Sequence, residues 1–192
     1  MRIVDIPVEP LVAEAFKPFG VVIEGGGNKA EFENSPNRMI NLGFEVDGRA
    51  ELYIIRYLRQ EMLISRLEQH LTMTEARVSL GEPVVVVVAE SVALADPKAI
   101  PDPKTARAFL VMGRQGFMFN RGAWHSLDCY PTVASFADFA FFTEREAEKE
   151  LTQLQDLDPD QCRRSHIVDF TRDHDLVFRV TDPIGLLNPE TR

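Results

Sequence analysis

Three side chains of the sequence have the types and spacing of an acid–base or metal-binding site. Glu68 and His70 are two residues apart, so in a strand they point to the same face and place a carboxylate beside an imidazole. A second imidazole, His125, follows Gly122, which permits a tight bend just before a strand. Such groups can transfer protons to and from a small molecule, or bind a divalent metal. We expect Glu68, His70 and His125 to meet in one polar site.

The elements that must position these side chains are short strands. From about residue 52 to residue 142 the sequence is a succession of strand-like segments separated by Gly, Pro, Asp and Asn, and most of them have no helical pattern between them. This arrangement favours an all-β fold, an antiparallel sandwich or barrel, over a parallel α/β sheet. Successive valines at residues 84–88 indicate a strand buried on both faces. The predicted strands are 52–57, 76–80, 84–89, 106–112, 116–120 and 133–142.

Both ends of the chain differ from this central region. Residues 11–19 have the apolar spacing of a helix, which Gly20 ends, and residues 21–23 have the pattern of a short strand. Residues 144–150 are a charged, helix-favouring run that leads into an acidic stretch with a proline. We therefore predict a barrel domain with an N-terminal helix and strand at residues 1–143. An acidic helical and extended tail at residues 144–192 is expected to lie over the barrel or across a partner subunit.

Composition and charge limit the classes of partner. The chain has 192 residues, 45% of them hydrophobic, which suits one domain with a sizeable core. A formal net charge of −9 and the lack of a Lys/Arg cluster argue against nucleic acid, while one or two arginines in a pocket would suffice for a small anionic substrate. The opening residues lack the pattern of a secretory signal and no stretch has the length of a membrane span, so we expect a cytoplasmic protein with no membrane partner. Cys129 and Cys162 are expected to be free thiols.

The spacing of the polar residues resembles the two sequence signatures of the cupin superfamily. The first signature has His-x-His, a Glu four or five residues later and then a Gly, and the second has Pro-x-Gly-x-x-His. The corresponding residues in this chain are Glu68, His70, Glu75 and Gly81 for the first signature, and Asn120, Gly122 and His125 for the second. The match departs from the pattern at the first His and at the Pro.

Several short motifs in one order look like the ureidoglycolate lyase family, and the resemblance runs from about residue 11 to about residue 140. The motifs are Ala15-Phe-Lys-Pro-Phe-Gly20, Val22-Ile-Glu24, Leu67-Glu-Gln-His70, Gly81-Glu-Pro-Val-Val-Val-Val-Val-Ala89, Arg107-Ala-Phe109 and Asn120-Arg-Gly-Ala-Trp-His125. The resemblance implies a cupin-type double-stranded β-helix barrel with a C-terminal extension, usually a homodimer. It also implies cleavage of (S)-ureidoglycolate to glyoxylate and urea during allantoin breakdown.

The implied reaction suits the residue types. Ureidoglycolate carries a hydroxyl and a urea nitrogen on one carbon, so removal of the hydroxyl proton with protonation of the departing nitrogen gives an aldehyde. A divalent metal such as Ni, Mn or Zn would lower the pKa of the hydroxyl, and no organic cofactor is needed. On this interpretation Glu68, His70 and His125 are the metal ligands or the acid–base set, with Glu75 as a fourth ligand.

The same family resemblance implies a second set of residues, which bind the substrate. Arg107 and Arg38 are candidates to pair with the substrate carboxylate, because arginine grips a carboxylate with two hydrogen bonds. Arg107 is preferred, since its Arg-Ala-Phe setting matches the family. Asn120 and Trp124, beside His125, complete the predicted substrate-binding set.

The chain also departs from the family at three positions. Some members have a histidine where Ser65, Asn120 and Ser126 stand. Two alternatives therefore stay open: a cupin enzyme that acts on a related hydroxy or ureido acid, and a non-catalytic cupin that binds a small carboxylate and signals through the tail. The sequence does not assign which of Glu68, His70 and His125 is the base.

Overall fold

The computed structural model describes residues 1–25, 30–34, 36–91, 99–153 and 163–187, and it is mainly β. Cys162 lies outside these residues, and Cys129 is a buried free thiol. The strands are β1 Arg2–Pro10, β2 Gly20–Ile23, β3 Phe32–Asn34, β4 Asn37–Met39, β5 Ala50–Leu58, β6 Leu63–Ile64, β7 Arg66–His70, β8 Glu75–Ser79, β9 Val84–Ala89, β10 Arg107–Val111, β11 Gly116–Phe119, β12 Trp124–Ser126, β13 Tyr130–Pro131, β14 Phe136–Glu144, β15 Ser165–Asp169 and β16 Leu176–Thr181. The α-helices are α1 Ala13–Phe16, α2 Arg145–Gln153 and α3 Phe170–His174, and a short 3-10 helix spans Pro103–Thr105.

Two sheets make up the barrel. The larger has the order β15-β7-β12-β9-β10-β1-β16-β6, with β13 also paired to β9, and the smaller has the order β2-β11-β8-β14-β5. Between β7 and β14 the chain passes back and forth between the sheets, and the strands of this region pair antiparallel. The mainly β, cupin-type barrel predicted from the sequence is therefore confirmed. A separate hairpin consists of β3 and β4.

The core lies on both faces of β9, as the run of valines predicted. Every residue of β9 is buried. One face joins the aromatic cluster inside the barrel, and the other packs against a second cluster that includes Trp124, Phe170 and Phe178. Alternating side chains of a strand reach opposite faces, so a strand between two cores must be apolar at every position. Each of the six predicted strands overlaps an observed strand, and 84–89 coincides with β9.

The N-terminal region differs from the prediction in two ways. The predicted helix 11–19 is wrong in extent, because α1 is one turn, Ala13–Phe16. Phe16 and Phe19 both enter the core, and Pro18 has no amide proton with which to continue a helical ladder. The second difference is β1, which was not predicted and which pairs parallel with both β10 and β16.

Among the described residues after 144, β15 and β16 join the larger sheet. β15 pairs antiparallel with β7, and β16 pairs parallel with β1 and antiparallel with β6. The division into a barrel domain and a tail at residues 143 and 144 stays a prediction. Among the described residues, no helix has the length and apolar character needed to cross a membrane.

Candidate active site

Adjacent strands of the larger sheet place the predicted acid and bases together. β12 pairs antiparallel with β7 so that His125 lies directly opposite Glu68. His70 follows two residues later on the same strand and faces the same way, as predicted. The imidazole ring centres of His70 and His125 are 5.2 Å apart. The prediction that Glu68, His70 and His125 converge is confirmed by this geometry, while their roles stay predictions.

A tight turn before β12 fixes the position of His125. Gly122 has φ of 76°, a left-handed conformation that favours glycine, and its amide donates to the carbonyl of His70 over 2.7 Å. The amide of Ala123 donates to the carbonyl of Asn120 over 3.0 Å. The bend expected at Gly122 therefore joins the start of β12 to the end of β7.

The facing sheet supplies two more charged groups. After His70, the chain crosses to the smaller sheet and enters β8, where Glu75 and Arg77 are two residues apart and both point into the barrel. Nε2 of His70 lies 2.9 Å from Oε2 of Glu75, and Nε of Arg77 lies 2.6 Å from its Oε1. One ligand atom from each of Glu68, His70, Glu75 and His125 lies within 4.8 Å of the others. We call these four residues the polar cluster.

The polar cluster is enclosed by the barrel, since none of its residues is more than 6% exposed. The ring of His125 stacks on Phe119, with centres 4.1 Å apart and planes 4° from parallel. Nδ1 of His125 lies 3.2 Å from the carbonyl oxygen of Ser126 and 3.6 Å from Oε1 of Glu68. Nδ1 of His70 lies 2.9 Å from the hydroxyl of Ser165, which comes from β15. Each imidazole is therefore oriented through one nitrogen and presents the other to the cluster.

Arg77 is the charged residue of this region that sequence reasoning missed. It is 2% exposed, and its guanidinium carbon lies 5.4 to 5.7 Å from the ring centres of Tyr57, Phe119 and Phe141. Its Nη2 lies 3.6 Å from Oε1 of Glu68. The sequence pattern that could have identified Arg77 is its position two residues after Glu75, which puts both side chains on one face of a strand. Arg77 gives the barrel interior a permanent positive charge.

The two carboxyl groups of the cluster have opposite pKa shifts. Burial raises the pKa of Glu68 to about 7, because the charged form loses its hydration, and the charge of Glu75 adds to this effect. Burial also opposes the ionisation of Glu75, but the positive charge of Arg77 and the neighbouring imidazoles hold its pKa well below the usual range. At neutral pH Glu75 is a carboxylate, whereas Glu68 is close to its midpoint and able both to accept and to release a proton.

The pKa values of the two imidazoles are also shifted in opposite directions. Burial lowers the pKa of His125 to about 3, so that this ring is neutral at neutral pH. Burial opposes the protonation of His70 as well, but its contact with Glu75 and the charge of Glu68 raise its pKa above the ordinary value. His70 is therefore the imidazole that can carry a proton to donate, and His125 is a neutral ligand or hydrogen-bonding group.

The donor set of the polar cluster fits a divalent metal. Nε2 of His70, Nε2 of His125 and Oε1 of Glu75 are buried and have no hydrogen-bond partner of good geometry. Each histidine has its other nitrogen beside a hydroxyl or a carbonyl, the arrangement that orients metal-binding histidines. The arginine beside Oε1 of Glu75 leaves Oε2 facing His70. The cluster can hold a metal ion through imidazole and carboxylate ligands.

The predicted substrate-binding residues have other contacts in the structure, and their role stays a prediction. Arg107 forms a two-pronged ion pair with Glu9 of β1 and also donates to the carbonyl of Ala15. Arg38 is exposed on β4, in the separate hairpin, and Asn120 is exposed at the turn before β12. Trp124 is buried in the core cluster on the opposite side of β12 from His125.

The three positions at which the chain lacks a family histidine also lie outside the polar cluster. Ser126 follows His125 in the strand, and its hydroxyl accepts from the amide of Val87 and donates to the carbonyl of Asp128. The carbonyl of Ser65 accepts from the amide of Phe170, and Asn120 is exposed. The departures therefore leave the four residues of the cluster unchanged.

Comparisons with known proteins agree with the motifs. A sequence model described as ureidoglycolate lyase matches residues 3–162. A ureidoglycolate lyase of Azotobacter vinelandii is 35% identical over 150 residues, covering 73% of this chain and 83% of that protein. A ureidoglycolate lyase of Pseudomonas syringae pv. syringae is 38% identical over 127 residues, covering 62% of this chain and 71% of that protein.

The solved structures that match this chain are much more distant in sequence. The dTDP-6-deoxy-D-glucose-3,5-epimerase RmlC from Legionella pneumophila Philadelphia 1 is 16% identical with a TM-score of 0.35, covering 60% of this chain and 62% of that chain. Oxalate decarboxylase from Bacillus subtilis is 11% identical with a TM-score of 0.32, covering 72% of this chain and 44% of that chain. The family resemblance seen in the motifs is confirmed by the sequence comparisons. The chain belongs to the ureidoglycolate lyase family.

Proposed function

We propose that this protein is a carbon–nitrogen lyase that cleaves (S)-ureidoglycolate to glyoxylate and urea, a step of allantoin and purine breakdown. The observation that carries the proposal is the pair Glu68 and His70 inside a barrel of this family. The first is a buried carboxyl with a pKa near 7, and the second is an imidazole whose pKa is raised. A carboxyl group that can accept a proton near neutral pH and an imidazole that can donate one are what this elimination requires.

Glu68 and His70 each carry out one of the two proton transfers. Glu68, in its ionised form, accepts the proton of the substrate hydroxyl, and the electron pair of that O–H bond forms the C=O bond of glyoxylate. The C–N bond breaks, and its electron pair takes the proton that His70 donates, which releases urea. Contact with Glu75 stabilises the protonated form of His70 before this transfer. The neutral ring of His125 stays beside Glu68, with Nδ1 3.6 Å from Oε1 of the base.

Arg77 is the group best placed to bind the substrate carboxylate. Its guanidinium is buried beside Glu68, with Nη1 only 3.5 Å from the weak acceptor Sγ of Cys129 and Nη2 3.6 Å from Glu68. Both contacts are long, because the short contact to the carboxylate of Glu75 uses Nε. A planar guanidinium can therefore present these nitrogens to a carboxylate inside the barrel.

As an alternative to the assignment of His70 as proton donor, the same cluster would hold a divalent metal through His70, Glu75 and His125, with Glu68 beside them, and His70 would then be a ligand. Imidazole and carboxylate ligands suit Ni, Mn and Zn. When bound, such an ion supplies Lewis acidity that makes the substrate hydroxyl easier to deprotonate. Metal analysis of the purified protein, with and without prior treatment with a chelator, tests this part of the proposal.

We also infer a cytoplasmic homodimer. β5 lies at the edge of the smaller sheet, and Leu52, Ile54 and Leu58 on its outer face are 59 to 66% exposed. An apolar row on an edge strand is a surface that a second copy of the chain would cover. Sedimentation analysis should show a dimer for the wild type and a monomer for Ile54→Glu. A monomeric wild type contradicts this part.

The reaction itself is tested with purified protein and (S)-ureidoglycolate. We expect glyoxylate and urea in equal amounts, well above the uncatalysed rate. No release above that rate, with or without added Ni, Mn or Zn, rejects the lyase. Faster turnover of another hydroxy or ureido acid would favour the related-enzyme alternative, and ligand binding without turnover would favour the non-catalytic one.

A further inference from the structure

The polar cluster is fully enclosed, so a substrate needs a route into the barrel. A surface pocket of about 510 Å³ lies between one face of α2 and the start of β5. Its lining includes Arg49 and Tyr53 from the β5 side and Arg145, Glu148 and Lys149 from α2. The three α2 residues are at positions i, i+3 and i+4, which lie on one face of a helix. We call this cavity the α2 pocket.

The charge of the α2 pocket differs from that of the protein as a whole. The chain has a net charge of −9, yet the α2 pocket gathers the cations Arg49, Arg145 and Lys149. Glu51 lies 3.1 Å from Arg49 and 3.5 Å from Arg145 and offsets part of this charge. Lys149 is exposed and, within the described residues, has no carboxylate in ion-pair contact. A small anion approaching an acidic protein would be attracted to such a locally cationic cavity.

The α2 pocket is next to the site on its inner side. Tyr53 faces Phe141 on the neighbouring strand, with ring centres 6.4 Å apart, and Phe141 in turn lies under the guanidinium of Arg77. Glu148 accepts from the buried hydroxyl of Thr143 over 2.7 Å and is close enough for its charge to act on both Glu68 and His70. Phe141 of β14 thus contacts both Tyr53 of the α2 pocket and Arg77 of the site.

We propose that the α2 pocket is an outer binding site through which a small ureido monocarboxylate reaches the barrel interior. Arg145 and Lys149 bind the carboxylate, and the half-buried carboxylate of Glu148 accepts hydrogen bonds from the N–H groups of the ureido end. Glu51 and Glu148 disfavour dicarboxylates, which would bring a second negative charge to them. The identity of the ligand rests on the proposed lyase function, whereas the existence of the outer site rests on the α2 pocket itself.

The test removes two of the three cations of the α2 pocket and compares this variant with one that removes two cations elsewhere. The variant Arg145→Gln with Lys149→Gln is paired with a control, Lys104→Gln with Arg114→Gln, which removes the same charge from exposed positions outside the α2 pocket. For (S)-ureidoglycolate we expect KM to rise about fivefold or more in the α2 variant with kcat within about twofold, and no change in the control. The salt dependence of kcat/KM should weaken in the α2 variant only. Equal behaviour of the two variants overturns the proposal.

A binding measurement keeps this test separate from the lyase proposal. N-carbamoylglycine has the ureido and carboxylate groups of the substrate but no hydroxyl, so it cannot be cleaved. Stopped-flow binding measurements should give an association rate constant about fivefold or more lower in the α2 variant than in the wild type and the control, because the outer site acts on entry while the barrel interior sets the equilibrium affinity. If the wild type releases no glyoxylate, the lyase proposal fails while these rate constants still decide the outer site. Equal association rate constants in all three proteins overturn the outer site, whatever the activity.

Discussion

The hydroxyl oxygen of Ser165 lies 2.9 Å from Nδ1 of His70, although the two residues are 95 positions apart in the chain. β15 pairs with β7 in the register that puts Ser165 opposite His70. A hydrogen bond at Nδ1 fixes the ring orientation and directs Nε2 toward Glu75. A strand beyond residue 144 therefore takes part in positioning His70, the proposed proton donor.

Replacing Ser165 by alanine should weaken catalysis without unfolding the protein. We expect kcat to fall about tenfold, because loss of the partner that orients a catalytic or metal-binding histidine has effects of this size. Thr171→Ala is the matched control, since it removes a hydroxyl that donates to Leu176 in the same part of the chain. Steady-state kinetics and thermal melting should show similar stability changes of about 1 kcal/mol for both variants. An unchanged kcat in Ser165→Ala would mean that Ser165 does not orient His70.

The activity should depend on pH through Glu68. As the base, Glu68 acts only when ionised, and burial raises its pKa to about 7. We therefore expect kcat/KM to rise with pH up to about 7 and to fall again at alkaline pH, where His70, the proton donor, loses its proton. The measurement is a pH profile from 5.5 to 9 with a constant metal content. A profile that is flat between 5.5 and 8 argues against Glu68 as the base.

The variant Glu68→Gln should have lower activity than the wild type and, at alkaline pH, a higher free energy of unfolding. The folded-state pKa of Glu68 is raised from 4.5 to about 7, so the folded state binds the extra proton and wild-type stability falls as pH rises through this window. Glutamine does not titrate, so the variant should gain about 2 to 3 kcal/mol relative to wild type between pH 5 and pH 8.5. Its kcat should fall by about 10² to 10⁴. Urea unfolding at both pH values checks the first expectation, and an unchanged stability difference contradicts it.

Two matched arginine variants should show which guanidinium binds the substrate carboxylate. Arg77→Lys keeps the charge but removes the planar fork, so we expect KM to rise about tenfold or more. Arg107→Lys makes the same change in an arginine that pairs with Glu9, and we expect KM to stay within about twofold. Arg77→Lys should also lower stability, because a buried arginine contacts Glu75. A raised KM in Arg107→Lys alone would return the role to the residue that the sequence favoured.

The side-chain period of two was enough to predict part of the site. Glu68 and His70 share a face because they are two residues apart in a strand, and Gly122 takes the positive φ that its turn requires. Glu75 and Arg77 are also two residues apart in a strand, so their side chains share a face. A charged pair at this spacing is also common on exposed strands, however, and nothing local in the sequence says that β8 turns this face inward.

The contacts that sequence reasoning missed are between distant segments. The partner of Arg107 is Glu9, on a strand that contains Pro7 and Pro10, residues that argue against a strand inside a sheet. Ser165 lies in a region whose charge and proline content suggest only an extension. Both contacts depend on which strands become neighbours when the sheet closes, and no spacing within a segment encodes this.

The most direct test of the account is a crystal structure of the protein with N-carbamoylglycine bound. The ligand carboxylate should lie within hydrogen-bond distance of the terminal nitrogens of Arg77, with its central carbon beside Glu68 and its ureido nitrogen toward His70. A ligand seen only at Arg107 or Arg38, with the polar cluster unchanged, would contradict the claim that the buried cluster is where the substrate is cleaved.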